Sequence, residues 1–260
     1  MNPLEQPYIL AEANWKTVKK TPYNVAVLPW GATEAHNYHL PYATDNFQVD
    51  FVAREAARKA YDKGTTTLIL PCIPFGINTG QMDVDFCMNI LPTTQLAILK
   101  DTCEVLIRRN IQKLIILNGH GGNNFKNIIR ELSYSHLDLF VCWVNWYQVV
   151  DWNLYFEEPG DHAGEMETSA VMHIRPELVR PLSEAGEGKA RKIQLSGFQE
   201  GWAVTQRRWT DVTDDTGVGN PKKASAAKGQ KYLEACSDKL ARFFCELDKT
   251  ENSQLYNPPT

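Results

Sequence analysis

Apolar residues in this chain gather into short continuous runs separated by longer amphipathic stretches. The runs 25–29 (VAVLP), 67–73 (TLILPCI) and 113–119 (KLIILNG) contain almost no charge, and 138–149 (DLFVCWVNWYQV) has the same character. Runs of this length and composition are typical of strands buried on both faces of a parallel sheet. The pattern therefore predicts four strands of a mostly parallel central sheet.

The stretches between these runs have helical periodicity. Residues 45–63, 93–110 and 123–135 each place apolar side chains three or four positions apart, and further helices are expected at about 164–174 and roughly 221–247. Strands that alternate with helices favour a three-layer α/β/α fold with helices on both faces of the sheet. Segment 181–220 is irregular, and no linker or repeat divides the chain, so we predict a single domain over 1–260.

Composition narrows the classes of function. At 260 residues and 43% apolar content, the chain can bury one sizeable core. A net charge of -4 gives no electrostatic reason to expect nucleic acid or an anionic membrane surface as a partner. Six cysteines without a C-x-x-C pair, and a start without an apolar signal segment, favour free thiols and a cytoplasmic location.

The polar residues after the first predicted strand are candidates for chemistry, because open α/β sheets bind ligands at the carboxyl ends of their strands. The stretch GATEAHNYHLPYATD (31–45) contains Glu34, His36 and Asp45. Residues two apart in extended chain point to the same side, so Glu34 and His36 can reach one centre. Asp45 begins a predicted helix, where it could cap the helix or bridge two cations; by itself, the cap is favoured.

A second polar cluster follows the third apolar run, at NGHGGN (118–123). His120 falls at the predicted strand-to-helix turn, and Gly121 and Gly122 permit positive φ and close backbone approach. Asn123 is a natural N-cap for the next helix, whose free N–H groups could bind an anion or oxyanion. No Lys-Ser or Lys-Thr follows, which argues against a P-loop.

A third cluster, GDHAGEMET (160–168), contains Asp161, His162, Glu165 and Glu167 around another helix start. Alone it is an ordinary acidic first turn that complements the helix dipole. Three such clusters, each at the end of a predicted strand, indicate a metal site instead. A mixed nitrogen and oxygen set without thiolate suits Zn²⁺ or Mn²⁺, and a carboxylate shared between two ions is usual in two-metal hydrolases.

Four ordered segments resemble the motifs of the creatininase (creatinine amidohydrolase) family. They are LPWGATEAHNYHLPYATD (28–45), LNGHGGNN (117–124), DHAGEMETS (161–169) and GVGNPKKASAAKG (217–229), so the resemblance runs from about residue 25 to 245. It implies a creatininase-like fold, two divalent ions (Zn and/or Mn) and hydrolysis of a C–N amide bond in a small-molecule substrate. It also implies a homo-oligomer, often a hexamer.

The resemblance implies a role for each matched residue. Glu34, Asp45 and His120 would hold one ion, while His36 and the bridging Asp45 would hold the other. The position of the second ion's last ligand is occupied by Gly122 here, so we expect Glu167 to supply that carboxylate, with Glu165 as the alternative. The resemblance also makes His162 the catalytic histidine and Asp161 the acid that orients it.

The segment after the second strand departs from the family pattern and leaves the substrate open. We predict that Asn78, Gln81, Gly121 and Trp152 contact the substrate, with Trp146 a further candidate for an aromatic cover. Asn37 stands where the family has glycine. Creatinine is one expected substrate; a formamide, a peptide, or binding of a metal or metabolite without turnover are alternatives. A phosphoesterase is less favoured, because only Lys126 among the bases lies near the motifs.

The predicted mechanism is metal-assisted hydrolysis. Two ions lower the pKa of a shared water, which attacks the carbonyl carbon, and His162 passes the proton to the leaving nitrogen. The other histidines are expected to be outside the site: His39 makes a structural hydrogen bond within its loop, and His136 and His173 are not catalytic. Trp202 and Trp209 are expected either in the core or in the pocket wall.

Overall fold

The computed structural model describes residues 6–256, in which helices and strands alternate along the chain. The helices are α1 Trp15–Lys20, α2 Thr44–Tyr61, α3 Pro92–Ile107, α4 Lys126–Ser135, α5 Glu165–Ile174, α6 Ser196–Gln199, α7 Trp209–Val212 and α8 Ala226–Lys249. The strands are β1 Val25–Trp30, β2 Leu68–Ile69, β3 Lys113–Asn118, β4 Phe140–Asn145, β5 Gly160–His162 and β6 Val218–Gly219.

The central sheet contains β1 to β4 in the order β2-β1-β3-β4, and every neighbouring pair is parallel. Ala26 of β1 pairs with Leu68 on one side and with Leu114 on the other. A separate antiparallel pair joins β5 to β6. The predicted α/β class with a mostly parallel sheet is confirmed.

Alternate residues of the central strands point to opposite faces, and each face is covered by helices. Val25 and Val27 of β1 lie in a cluster with residues of α2 and α8, whereas Ala26 and Leu28 lie in a second cluster with residues of α3 and α4. Strands buried on both sides must be apolar at every position, which is why the runs showed no alternation. The three-layer arrangement was therefore predictable from the continuous runs.

The second strand is shorter than the predicted 67–73. Only Leu68–Ile69 forms regular strand, although the backbone N–H of Leu70 still donates to Val27 at 2.9 Å and that of Ile73 donates to Pro29 at 3.0 Å. Pro71 lies between them and has no N–H to donate, so the ladder is interrupted there.

Two other predicted boundaries also move. β4 ends at Asn145 and continues as a short 3-10 turn, Trp146–Gln148, rather than running to residue 149. The fourth helix begins at Lys126, not at 123, and its N-cap position is Phe125, which makes no side-chain cap. The prediction that Asn123 caps this helix is wrong, because its side chain is buried and bonded to neighbouring loops instead.

The topology brings the polar clusters together. β1 and β3 are adjacent and parallel, so the chain that follows each of them leaves the same edge of the sheet. α5 packs beside α2 and α8, which carries its first turn to that edge. Lys113, at the start of β3, anchors the opposite edge: its buried ammonium donates to the carbonyls of Leu247 (2.8 Å) and Thr250 (2.5 Å) at the end of α8. No helix between residues 6 and 256 combines the length and apolar character that crossing a membrane requires.

Candidate metal centre

Asp45 lies at the middle of the clustered side chains. It is the second residue of α2, whose N-cap position is Ala43, so Asp45 does not have the capping role that is favoured for it when it is considered alone. Its Oδ1 is 3.2 Å from Nε2 of His36, and its Oδ2 is 3.1 Å from Nδ1 of His120. Asp45 is 1% exposed, and Oδ2 has no well-aligned hydrogen bond. One carboxylate therefore faces two imidazoles through different oxygens.

Glu34 completes a first group of three possible ligands. Its Oε1 is 2.8 Å from Nδ1 of His120, and Glu34, Asp45 and His120 each offer an atom within 4.8 Å of the others. The ring of His120 is oriented by its other nitrogen, Nε2, which donates to the carbonyl of Ile77 at 3.1 Å. Because Nε2–H is committed to this bond, Nδ1 is the ring nitrogen that remains available to a metal.

His36 belongs to a second group with Asp45 and Glu167, again within 4.8 Å. Its Nδ1 donates to the main-chain carbonyl of Glu34 at 3.1 Å, which leaves Nε2 directed at Asp45 and, at 3.9 Å, at Oε2 of Glu167. The two groups share Asp45, which is the arrangement a pair of neighbouring cations needs.

The two glutamates of α5 face different surroundings. Oε2 of Glu167 accepts the N–H of Ala163 at 2.5 Å and lies beside His36. Both oxygens of Glu165 are used elsewhere: Oε2 accepts the N–H groups of Glu157 and Glu158, each at 2.8 Å, and Oε1 pairs with Lys228 at 2.5 Å. The geometry therefore favours Glu167 over Glu165 as a metal ligand, but leaves that role a prediction.

The electrostatics of the cluster favour positive charge at its centre. Burial lowers the pKa of His36, but the carboxylates of Asp45, Glu167 and Glu34 outweigh burial and raise it to about 10. Burial likewise opposes a charge on His120, yet Glu34 and Asp45 raise its pKa well above the usual range. Burial raises the pKa of Glu167 to about 7. Three buried carboxylates this close together are costly without cations between them, so the residues fit a pair of divalent ions.

His162 lies against this cluster. Its Nε2 donates to the carbonyl of Ala35 at 2.8 Å, its ring stacks on His36 with centroids 4.1 Å apart, and Nδ1 is 3.9 Å from Oε1 of Glu34. Burial, with charge on His36, lowers the pKa of His162. The imidazole is therefore neutral near pH 7, with a bare nitrogen turned toward the centre.

Among residues 6–256, the contacts of Asp161 do not include a bond to the His162 ring, which its predicted orienting role requires. Its side chain is half exposed and its Oδ2 accepts from Arg207 at 2.9 Å, while the nitrogen that would need orienting is already held by the Ala35 carbonyl. Asp161 therefore contributes to the rim of the cavity rather than to the position of the His162 ring.

The two glycines after His120 have different reasons to be small. Neither adopts the positive φ that glycine permits. A Cβ at Gly122 would lie 2.4 Å from Nε2 of His120 and 2.5 Å from the carbonyl oxygen of Ile77, so no side chain fits there in this conformation. Gly121 has open space around it and lines the cavity. Positive φ occurs instead at Asn37 (φ 53°), which stands where the family has glycine. Asparagine tolerates this left-handed conformation better than most other residues do.

Two of the four predicted substrate contacts are occupied within the protein. The side-chain N–H of Gln81 donates to Oε2 of Glu34, and its oxygen accepts from Cys87, so both ends of this amide are already bonded within the protein. Asn78 donates to the carbonyl of Met88 at 3.0 Å, and its buried Oδ1 has no partner among residues 6–256. Both residues border the cavity, but only Asn78 retains an unused polar atom.

A cavity of about 360 Å³ opens above the cluster, with Glu34, Asp45, His120, His162 and Glu167 among its lining residues. Its walls also include Tyr147, Trp152 and Trp209, of which Trp152 was predicted. The ring of Trp209 meets His162 edge-on at 5.2 Å, which places Trp209 in the pocket wall. Trp146 is fully buried in the core and Trp202 is 72% exposed on the surface, so neither covers the site.

Sequence reasoning missed several residues that shape the site. Asn118 bonds to the His120 carbonyl at 2.8 Å and accepts from Asn123 at 2.9 Å, so it fixes the turn that carries His120. The sequence did contain a signal for this role, namely an amide side chain at the end of an otherwise apolar run. Gln206 and Arg207 also line the cavity, but they come from the irregular segment, where no pattern marked them.

The remaining histidines lie outside both ligand groups. His39 bonds to Thr168 of α5 at 2.8 Å, so its structural bond crosses to a helix rather than staying in the loop. His136 is the C-cap residue of α4 and bonds to Ser135 at 2.9 Å, and His173 packs edge-on against Phe51. The six cysteines are all unpaired thiols.

The chain is similar to known proteins along most of its length. The family model described as Creatininase, creatinine amidohydrolase, matches residues 11–244. A Bacteroides fragilis protein provisionally named a creatinine amidohydrolase has 43% identity and a TM-score of 0.91, over 97% of this chain and 100% of that one. Two creatininase structures, one a manganese form and one a Zn-Zn mutant, share the fold with TM-scores of 0.77, at 20% and 21% identity, over 94% of this chain and 99% of each.

Curated relatives have different substrates in their names. The mycofactocin precursor peptide peptidase of Mycobacterium ulcerans is 24% identical over 90% of this chain and 92% of its own length. A ribosylaminopyrimidinone 5'-monophosphate deformylase of Methanothermobacter marburgensis is 26% identical over 65% of this chain and 73% of its own length. The family match and the 43% identity to a solved relative show that this chain belongs to the creatininase family, whose members are hydrolases that act on C–N bonds.

Proposed function

We propose that this chain is a dinuclear zinc- or manganese-dependent amidohydrolase that cleaves a C–N amide bond in a small substrate. The observation that carries the proposal is the pair of buried three-ligand groups that share Asp45 on the floor of a cavity. Glu34, Asp45 and His120 would hold one ion, and His36, Asp45 and Glu167 would hold the other. Two divalent ions held there would supply an activated water and positive charge for the carbonyl oxygen.

His162 has the position and charge state of a proton carrier. Its Nδ1 is unprotonated because Nε2–H is held by Ala35, and its lowered pKa keeps it neutral near pH 7. In that state it accepts a proton from the attacking water and returns it to the leaving nitrogen. This intact group favours turnover over the alternative of binding a metal or metabolite without reaction.

The second coordination layer would hold the ligands in place. Gln81 fixes one oxygen of Glu34, the Ile77 carbonyl fixes His120, and the Glu34 carbonyl fixes His36. The walls formed by Tyr147 and Trp209 would limit the access of bulk water to the bond being cleaved.

Metal analysis coupled to activity tests the proposal. We expect about two ions per chain, loss of amide hydrolysis and of thermal stability on chelation, and recovery with Zn²⁺ or Mn²⁺. His162→Gln should keep its metal but lose about 10²–10⁴-fold in kcat, whereas His36→Ala should lose metal as well. Full activity in metal-free protein would overturn the proposal.

A panel of substrates tests which amide is cleaved. Creatinine, a formamide and a short peptide represent the alternatives that the family offers, and p-nitrophenyl phosphate tests the phosphoesterase reading. A homo-oligomer, expected to be a hexamer, and a cytoplasmic location complete the proposal. Light scattering after gel filtration measures the oligomeric state, and the six unpaired thiols support the cytoplasmic location.

A further inference from the structure

One wall of the cavity carries a positive charge that belongs to none of the four motifs. Arg207 lies between α6 and α7 and lines the cavity together with Gln206 and Trp209. Its guanidinium carbon is 4.6 Å from the centre of the Trp209 ring, and that ring meets His162 with centroids 5.2 Å apart. The charge is therefore two ring contacts away from the imidazole that faces the metal ligands.

The position of Arg207 is set from two directions. A guanidinium over an indole face is attracted by the negative face of the ring. On the backbone side, a Cβ at Gly80 would lie 2.0 Å from the carbonyl oxygen of Arg207, so the two chains are in direct contact there. Although segment 181–220 lacks long helices, at this point it packs against the loop that follows β2.

Arg207 has hydrogen-bond capacity that the protein does not use. Within residues 6–256, its side chain makes one hydrogen bond, from Nη1 to Oδ2 of Asp161 at 2.9 Å, and it is 44% exposed. A guanidinium has five N–H donors. The unused donors are available to a ligand in the cavity, and the bond to Asp161 also holds the guanidinium in position.

The other acids at the rim are already paired with bases. Glu158 pairs with Lys223 at 2.9 Å, and Glu165 pairs with Lys228 at 2.5 Å. The carboxylates on the floor face the proposed ion sites. In the part of the chain that the structure describes, no unpaired carboxylate on the rim therefore opposes an anionic group that enters beside Arg207.

We propose that Arg207 determines specificity by binding an anionic group of the substrate, so that this chain prefers amides with a carboxylate or phosphate remote from the scissile bond. Arginine binds such groups through two parallel N–H donors. A cavity of about 360 Å³ suits a small molecule of this kind. The inference rests on the proposed amidohydrolase function, whose substrate class it narrows.

Matched substrates test the preference in the metal-loaded enzyme. N-formyl amino acids are compared with their neutral carboxamides and with N-formyl aminoalkylphosphonates, which separates a carboxylate site from a phosphate site. Arg207→Gln should lower kcat/KM for the better anionic substrate by about 10-fold or more relative to the carboxamide. Arg207→Lys should have an intermediate kcat/KM for the anionic substrate, because lysine keeps the positive charge but lacks the paired N–H donors of a guanidinium.

Arg208→Gln is the matched control. Arg208 is the next residue, pairs with Asp83 at 3.0 Å and does not line the cavity above the metal-ligand candidates, so its loss should not change the preference for anions. An equal loss on charged and neutral substrates in Arg207→Gln would overturn the proposal, as would a charge preference that survives in that variant.

Calorimetry with the same ligand pairs separates this inference from the proposed function. If no amide is hydrolysed but the anionic ligand binds wild type more tightly than the carboxamide, and Arg207→Gln abolishes the difference, the function fails and the anion site stands. If amides are hydrolysed but Arg207→Gln leaves both affinities unchanged, the anion site fails and the function stands.

Discussion

Replacing each glutamate of α5 by glutamine, one at a time, tests which of them is the metal ligand. Glu165 and Glu167 lie two residues apart on the same helix, and Glu→Gln changes charge but hardly changes volume. We expect Glu167→Gln to reduce the metal content from about two ions per chain to about one. Activity should fall by at least about 100-fold, since even outer-layer changes around a metal cost 10–100-fold.

Glu165→Gln should keep both ions and lose stability instead. Glu165 is 1% exposed and bonds to two backbone N–H groups and to the Lys228 ammonium. The substitution turns an amide toward that ammonium and weakens the charge-assisted bonds. Because the Lys228 side chain is 28% exposed, we expect a loss of about 2 kcal/mol in the free energy of unfolding. For a chain of this size that lowers Tm by about 4–8 °C.

Thermal unfolding with and without chelator makes the comparison decisive. The Tm deficit of Glu165→Gln should persist in excess EDTA, because it does not depend on metal. At pH 8 in EDTA, Glu167→Gln should be at least as stable as wild type. The folded pKa of Glu167, about 7, lies above the unfolded value, so its ionised form is destabilising at that pH. Loss of one ion from Glu165→Gln with both retained in Glu167→Gln would refute the assignment.

Two further substitutions probe the surroundings of the site. Gly122→Ala places a Cβ against the Nε2 of His120 and the carbonyl of Ile77. Metal affinity, measured by competition with a chelating dye, should therefore fall about 10–100-fold. Gly121→Ala, whose Cβ would enter open space, should keep its metal, and equal affinities in the two variants would contradict the packing argument. Burial, with a charged neighbouring histidine, lowers the pKa of His39 to about 4. The unfolded chain therefore binds the extra proton as pH falls below about 6.5, and His39 costs at most about 2 kcal/mol at pH 5. The free energy of unfolding is measured by urea titration after the metal has been removed with a chelator. Between pH 7.5 and 5 it should fall less in His39→Gln than in wild type. Equal falls in the two proteins would show that this histidine does not titrate as the structure indicates.

The fold and the candidate ligands were largely readable from the sequence, because both depend on local pattern. Continuous apolar runs specify strands buried on both faces, and parallel strands bring their carboxyl ends to one edge. Glu34, His36 and His120 follow such runs within a few positions, and Asp45 lies in the first turn of the helix after the first run, so their proximity required no long-range information beyond the order of the strands.

The tertiary structure decided what depends on partners far apart in the chain. Asp161 pairs with Arg207, 46 positions later, and Glu165 with Lys228, 63 positions later; neither spacing leaves a periodic trace. Gln81 orients Glu34 across 47 positions. Side-chain roles of this kind are set by which loops pack together, and that packing is a property of the folded surface rather than of any segment. The sequence by itself therefore determined the chemistry that the floor of the cavity offers, while only the tertiary structure decided which side chains support that floor and which charge faces the substrate.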